Sequence, residues 1–435
     1  MEHAADLSGM ATIIITALMC GMLMVKLGHP PLVGYLLAGI ILGPTGLGLV
    51  KNEGMITHFA ELGVLLLLFI IGMELSVRTL KFTWRIALPA VAMQSFACLI
   101  IIFFIAWAID IPARTAVLLG FVVALSSTAV AVKMLEEIKA LRNRVGRVTV
   151  AILIAQDLAF LPMILIVENM GKSSFSFGDA GKFIIAILLL ALLIKFLLRQ
   201  GRAHLPFYKW FSNHSDLSPL AGLLYCFGGS ALLGLMGLSP AYGAFLAGLA
   251  VGNSAERREM LSAVRPIQSV MLMVFFLSIG LLIDLGFIWR NIGTVFLFFL
   301  IVTFFKTGIN VIIIRALGEN WQRAFLSGVM ISQIGEFSFL LAAAGLTVGA
   351  ISVEESRLVI TVTALSLGLS PFWLSTARRL QIIASRGVGD WNKILSSTFV
   401  LQRALFRWLT RRTRPSIKFL ITQLKILLGS LRNRK

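Results

Sequence analysis

The sequence predicts an all-α polytopic membrane protein of about thirteen transmembrane helices arranged as an inverted repeat, and three observations predict it. Of the 435 residues, 58% are hydrophobic and 14% charged, whereas a water-soluble domain is about one quarter charged. Apolar runs of roughly 20 residues, the length a helix needs to cross the hydrocarbon core, recur from end to end. Segments of the first half also reappear in the second at a fixed offset.

Apolar stretches between polar breaks begin near residues 8, 32, 58, 86, 113, 147, 180, 217, 239, 266, 291, 321 and 354. The first follows the acidic Met1-Glu-His-Ala-Ala-Asp6 and lacks a basic leader and a small-residue cleavage site, so no signal peptide is expected. The second (32–50) and ninth (239–252) are short and glycine-rich, as in transporter helices that pack closely, break or tilt. The fifth carries Ser126, Ser127 and Thr128, and neighbours about 100° apart cannot share one helix face. An opening of the helix there frees hydroxyl and carbonyl oxygens for a desolvated cation, although ordinary back-bonding to the preceding turn suits Ser126.

The sixth stretch (147–168) holds Gln156 and Asp157 before Pro162, the eleventh holds Lys306, and the twelfth holds Gly335 and Glu336. A charge near the bilayer centre costs at least about 2.5 to 3.5 kcal/mol, so each such residue is a functional candidate in need of a partner. Gly335 and Glu336 mark a second helix break, with Glu336 read as structural: its carboxylate compensates the positive end of a half-helix or pairs with Lys or Arg. Glu74, at the end of the third stretch, is expected to be solvated and is no site. Residues 1–377 form the membrane domain and 378–435 a basic amphipathic tail.

Sliding the chain against itself by 209 residues places Pro31, Gly34, Leu37, Ala38, Gly39 and Gly43 on Pro240, Gly243, Leu246, Ala247, Gly248 and Gly252. The same offset places Ala155, Leu158 and Pro162 on Ala364, Leu367 and Pro371, and an offset of 208 places Gly72 on Gly280. The copies begin at stretches two and nine, seven apart, so they enter the membrane in opposite directions. That inversion puts a substrate site near the midplane between the halves.

The net charge of +19 resolves by location. Residues 378–435 contain 14 Lys and Arg and one acid, Asp390, which reads as helices lying on an anionic inner leaflet rather than as a nucleic-acid surface. Connections after odd-numbered stretches hold 18 basic residues and those after even-numbered stretches six. This places the N-terminus outside and the C-terminus in the cytoplasm of an inner or plasma membrane. The one basic residue left over is Lys306.

Gly34 to Gly43 with Gly43-Pro-Thr-Gly46, Phe69-Ile-Ile-Gly-Met-Glu-Leu75, Ala124-Leu-Ser-Ser-Thr128, Gln156-Asp157 before Pro162, and Gly335-Glu-Phe337 resemble the monovalent cation:proton antiporters of family two, especially Kef-type potassium:proton exchangers. The similarity covers roughly residues 8 to 377. It implies a sodium/proton-antiporter-like fold with crossed broken helices, in which an ion-carrying core slides against a dimer-forming domain. It also implies Asp157 as the carboxylate that alternately holds cation and proton, Gln156 beside it, Lys306 as its counter-charge, and Ser127 and Thr128 in the first crossing helix. Kef-type proteins continue into a nucleotide-binding domain, whereas the 58-residue tail here has no Gly-x-Gly-x-x-Gly, so nucleotide or glutathione regulation does not carry over and no cofactor is expected.

Chemistry points the same way. A lone midplane carboxylate is neutralised by one proton or one monovalent cation, so occupancy is mutually exclusive and exchange follows. Lys306 is expected to pair with Asp157 in the cation-free state. Gln156, where sodium-type relatives carry a second Asp, favours one-for-one electroneutral exchange of potassium or sodium. A cation channel is the first alternative, because the same groups would line a pore. An iron or zinc transporter is the second, but the five histidines lie scattered in connections or at the ends of stretches, without metal-ligand spacing. Gly387-Val-Gly-Asp390 resembles an intramembrane protease motif, but it lies beyond the last stretch, where no second aspartate can meet it, and no enzyme is expected. Cys20, Cys98 and Cys226 sit singly in apolar runs, as small core residues.

Overall fold

The structure, a computed structural model, describes residues 2–385 except 28, 50–52, 76, 109, 171–176, 201–203, 206–207 and 209–216. The tail from Arg386, with Gly387 to Asp390, lies outside the described residues. Residues to Pro371 form one compact unit, and those from Phe372 belong to a second.

Sixteen helices occur among the described residues: α1 (Glu2–Lys26), α2 (Pro31–Leu42), α3 (Glu53–Glu74), α4 (Val77–Ala108), α5 (Ala113–Ala124), α6 (Thr128–Glu137), α7 (Arg144–Asn169), α8 (Phe177–Gln200), α9 (Leu217–Leu235), α10 (Pro240–Gly252), α11 (Arg257–Leu281), α12 (Leu285–Arg290), α13 (Ile292–Ala316), α14 (Trp321–Met330), α15 (Phe337–Thr347) and α16 (Val353–Ser385). They fall on the thirteen apolar stretches. The fifth and twelfth are each split into two half-helices, and the short α12 leads into the eleventh. Six segments, including α5 and α6 taken together, are long and apolar enough to cross a membrane by length and composition. No strand occurs among the described residues, as the sequence predicts.

Two bundles make up the first unit. In one, α2 lies between α1 and α11, and α3 packs against α10 and α11. Its interior joins Leu66, Phe69, Ile70 and Met73 to Val251, Met260 and Val264. In the other, α4, α7 and α13 pack around the half-helices α5, α6, α14 and α15, with Ala151, Ile152 and Ala155 of α7 packed on Ile313, Ile314 and Ala324. The long α8 touches α10 of the first bundle and α4 and α7 of the second. Ser366 of α16 is bonded into the second bundle, accepting from the Ile334 amide at 3.0 Å.

The repeat explains the glycine pattern. A side chain at Gly39 would strike the backbone of Leu277 and Gly280, and one at Gly280 would strike Leu36 and Gly39. Thus α2 and α11 cross backbone to backbone, and only glycine permits that approach. In the mirrored crossing of α10 on α3, Gly248 lies against Phe69 and Gly72 against Phe245. Gly39 and Gly248 are repeat mates, as are Gly72 and Gly280, so one contact is built twice.

Candidate functional site

The half-helices build the centre. Helix α5 stops at Ala124 and α6 starts at Thr128, while α14 stops at Met330 and α15 starts at Phe337. Their N-cap residues, Ser127 and Glu336, are 209 apart, so the repeat places both breaks at the same level. The breaks touch. The Gly335 amide donates to Leu125 O at 3.1 Å, the Ser126 hydroxyl to Ile331 O at 2.7 Å, and the Gln333 amide side chain to Ser127 O at 3.1 Å. Breaking a helix inside a membrane frees backbone groups that need partners, and here each break supplies partners for the other.

Lys306 sits at the junction of the two breaks and does not line the cavity beside Asp157. Fully buried, its ammonium donates to Leu125 O at 2.5 Å and Gln333 O at 3.0 Å, one carbonyl from each break. The ion pairs of the described residues do not include it, so the expected Asp157–Lys306 pair is not formed. Free carbonyls at the two breaks are the nearer acceptors, and they satisfy the ammonium without a carboxylate.

Gln156 likewise faces away from the cavity. Its Oε1 accepts from the Ser126 amide at 3.1 Å and its Nε2 donates to Gln94 Oε1 at 2.6 Å, while Gln94 donates to Ala124 O at 3.2 Å. Being about 100° around α7 from Asp157, Gln156 braces the first break and does not line the cavity. Ser126 does not back-bond to its own turn but bridges to the other break. Ser127 caps α6, its hydroxyl accepting from the Val130 amide at 3.3 Å.

Asp157, 5% exposed, accepts from the Thr128 hydroxyl at 3.3 and 3.2 Å on its two carboxylate oxygens. Thr128 is the first residue of α6, so the carboxylate stands at the positive end of that half-helix. Glu336 holds the matching place at α15, yet its side chain makes no cap hydrogen bond. Among the described residues it forms no ion pair, and its Oε2 is buried without a hydrogen-bond partner. Of the two roles expected for it, pairing with Lys or Arg does not occur among the described residues, while its carboxylate stands at the N-terminal end of α15.

Asp157, Thr128 and Glu336 open on one cavity of about 390 Å³ between the bundles. Its second-bundle wall also carries Val150, Ile154 and Phe337; its first-bundle wall carries Leu67, Ile71, Glu74, Gln268, Leu272 and Phe276. Glu74, whose side chain is half exposed, marks the open end. Among the described residues, polar contacts there stay within a bundle: Arg265 pairs with Glu74 at 3.2 Å and Arg257 donates to Met73 O at 3.1 Å, while Glu319 pairs with Arg144 at 2.7 Å and Arg323 at 3.6 Å. At the other end of α11 the contacts cross between bundles. Arg357 of α16 pairs with Asp284 at 3.2 Å, and the Ser239 hydroxyl before α10 donates to Glu168 near the end of α7 at 2.9 Å.

The sequence reading missed Gln94, Gln333 and Asn310, whose amide donates to Ile331 O at 3.2 Å. Their signal was the same as that of Gln156, a polar side chain inside an apolar stretch. Glu74 was set aside because the end of its stretch reads as solvated, and Gln268, inside α11, was missed.

Residues 14–378 match the family described as sodium/hydrogen exchanger, transmembrane. The chain is 43% identical over 420 residues to the iron transporter MagA of Paramagnetospirillum magneticum, covering 96% of each. It is 31% identical over 364 residues to the glutathione-regulated potassium-efflux system protein KefC of Escherichia coli, covering 82% of this chain and 58% of KefC. The solved structure of the sodium proton antiporter MjNhaP1 from Methanocaldococcus jannaschii superposes with a TM-score of 0.64 at 17% identity, over 89% of this chain and 100% of that one.

Proposed function

Because the chain belongs to the sodium/hydrogen exchanger family, we propose that it exchanges potassium or sodium for protons, one for one and electroneutrally, by alternating access around Asp157. One observation carries this reading. Asp157 is a buried carboxylate at the foot of a cavity open at one end, bonded by a single threonine hydroxyl and unpaired with Lys306. A carboxylate so placed needs one positive charge, and a proton and a monovalent cation compete for it. Thr128 supplies a hydroxyl oxygen on the cation side, Ser127 caps the half-helix that carries it, Gln156 and Lys306 hold the crossing in register, and Ser126, Gly335 and Glu336 form the breaks. Contacts crossing between bundles at the Asp284 end and confined within bundles at the Glu74 end support an alternation in which these two patterns exchange.

The membrane is the inner or plasma membrane, with the N-terminus outside and the basic tail on the cytoplasmic anionic leaflet, and the working form is a homodimer. The test is a proteoliposome assay with a pH dye and each cation added in turn. Wild type acidifies or alkalinises according to the imposed gradient, and Asp157→Asn abolishes the response. Transport that charges the membrane contradicts electroneutrality, and flux that does not saturate indicates a channel.

A second reading, iron transport, is carried by the name of the relative that shares 43% of this sequence. Among the described residues no three His, Cys, Asp or Glu cluster as a metal site, and the donors around Asp157 are hydroxyl and carboxylate oxygens. Iron uptake that survives Asp157→Asn would favour the second reading.

A further inference from the structure

We infer that the cavity carries a second, weaker monovalent-cation subsite at its mouth, formed by Glu74 and Gln268 of the first bundle, through which the ion passes to and from Asp157. The inference rests on the exchange reading and adds a residue pair that sets apparent cation affinity.

Three helices give the same depth. Along α7 the lining runs Asp157, Ile154, Val150; along α3 it runs Leu67, Ile71, Glu74; along α11 it runs Phe276, Leu272, Gln268. Each series climbs roughly two turns, about 10–12 Å at 1.5 Å per residue, with Asp157 at one end of the α7 series and Glu74 and Gln268 at the ends of the α3 and α11 series. Between the two levels the walls are aliphatic. A cation leaving water thus meets oxygen ligands at the mouth, a dry interval, and then Asp157 and the unpartnered Glu336 Oε2.

The mouth groups are available. Gln268 makes no hydrogen bond to another described residue, which leaves its amide oxygen free for a cation. Glu74 is held by Arg265 at 3.2 Å, with side chains 51% and 57% exposed, and an exposed pair of this kind is weak and readily displaced. Arg257, a second arginine on α11 at this end, is committed to the carbonyls of Met73 and Glu74. An arriving ion takes the Glu74 carboxylate from Arg265, whose guanidinium returns to water. That competition keeps the subsite shallow, which transit requires.

The test is the initial rate of dye-reported exchange against potassium and sodium concentration in proteoliposomes. Glu74→Gln and Gln268→Leu are each expected to raise the apparent KM about three- to tenfold with the maximal rate within about twofold of wild type, the signature of lost binding common to ground and transition states. Arg265→Gln is expected to lower KM, and Glu74→Asp to restore it towards wild type. Monodisperse elution of each variant establishes folding, and if Glu74→Gln misfolds, Gln268→Leu and Arg265→Gln carry the test. Unchanged KM in the folded variants, while wild type exchanges normally, overturns the subsite alone. Absence of exchange in wild type overturns the exchange reading and the subsite with it.

Discussion

Gly335→Ala tests whether the crossing of the two broken helices holds the site together. A methyl group at Gly335 would lie 2.6 Å from the carbonyl carbon of Ser126, 2.7 Å from its oxygen and 2.9 Å from the Ser127 nitrogen. Comfortable carbon contacts are about 3.5 Å, so the breaks must part by nearly 1 Å, and the obstacle is backbone that cannot rotate away. Forced overpacking costs about 1–3 kcal/mol. Parting also stretches Gly335 N to Leu125 O and Ser126 Oγ to Ile331 O, each worth about 1 kcal/mol net. The expected loss is about 2–5 kcal/mol, with exchange reduced because Ser127 and Thr128 move relative to Asp157. Gly308→Ala on α13 is the control: a methyl there meets nothing within 4 Å, and a helix-interior Gly to Ala change is worth about 0.5–1 kcal/mol of stabilisation. Thermal unfolding in detergent, followed by tryptophan fluorescence, and proteoliposome exchange read both variants. If Gly335→Ala melts with Gly308→Ala and exchanges at the wild-type rate, the reasoning about the crossing is wrong.

Lys306→Met removes the donor shared by Leu125 O and Gln333 O. It is expected to cost about 1–3 kcal/mol, because Gln333 O loses its partner while Leu125 O keeps the Gly335 amide, and measurable exchange persists; complete loss of exchange at wild-type stability would return Lys306 to a transport role. Asp284, outside the spans, has its carboxyl held below the usual range, first by the Phe287 amide and also by the Gly286 amide and Arg357. A lowered folded-state pKa contributes stability above the ordinary carboxylate range that is lost as pH falls through the folded value. Asp284→Asn should therefore melt below wild type at pH 7, with the gap closing below about pH 4; a gap independent of pH in melts across that range would refute the assignment.

The fold class was legible because its causes are local. Long apolar stretches leave helices as the available spanning structure, and proline and glycine recurring at one offset expose the repeat without any knowledge of packing. The breaks were legible for the same reason: Ser126-Ser127-Thr128 and Gly335-Glu336 are polar where a continuous helix in lipid cannot be. Asp157 stood out by the cost of its charge. Which partner each polar group takes was not legible, since 209 residues separate Ser126 from Gly335 and 181 separate Leu125 from Lys306. The resemblance placed Gln156 and Lys306 beside the ion, whereas the fold gives Gln156 to the Ser126 amide and the Gln94 side chain and Lys306 to two carbonyls.

By itself the sequence determined helices, their number of apolar stretches, the inverted repeat and the candidacy of Asp157, because hydrophobicity, backbone satisfaction and burial of charge act on each stretch separately. Only the tertiary structure decided that Ser366, the repeat mate of Asp157, is a hydroxyl spent on the Ile334 amide, while Asp157 is left facing a cavity. It also decided that Lys306 is satisfied by carbonyls rather than by that aspartate. The physical reason is competition: a buried donor takes whichever acceptor the crossing backbones bring within reach, and that choice exists only once the two halves have met.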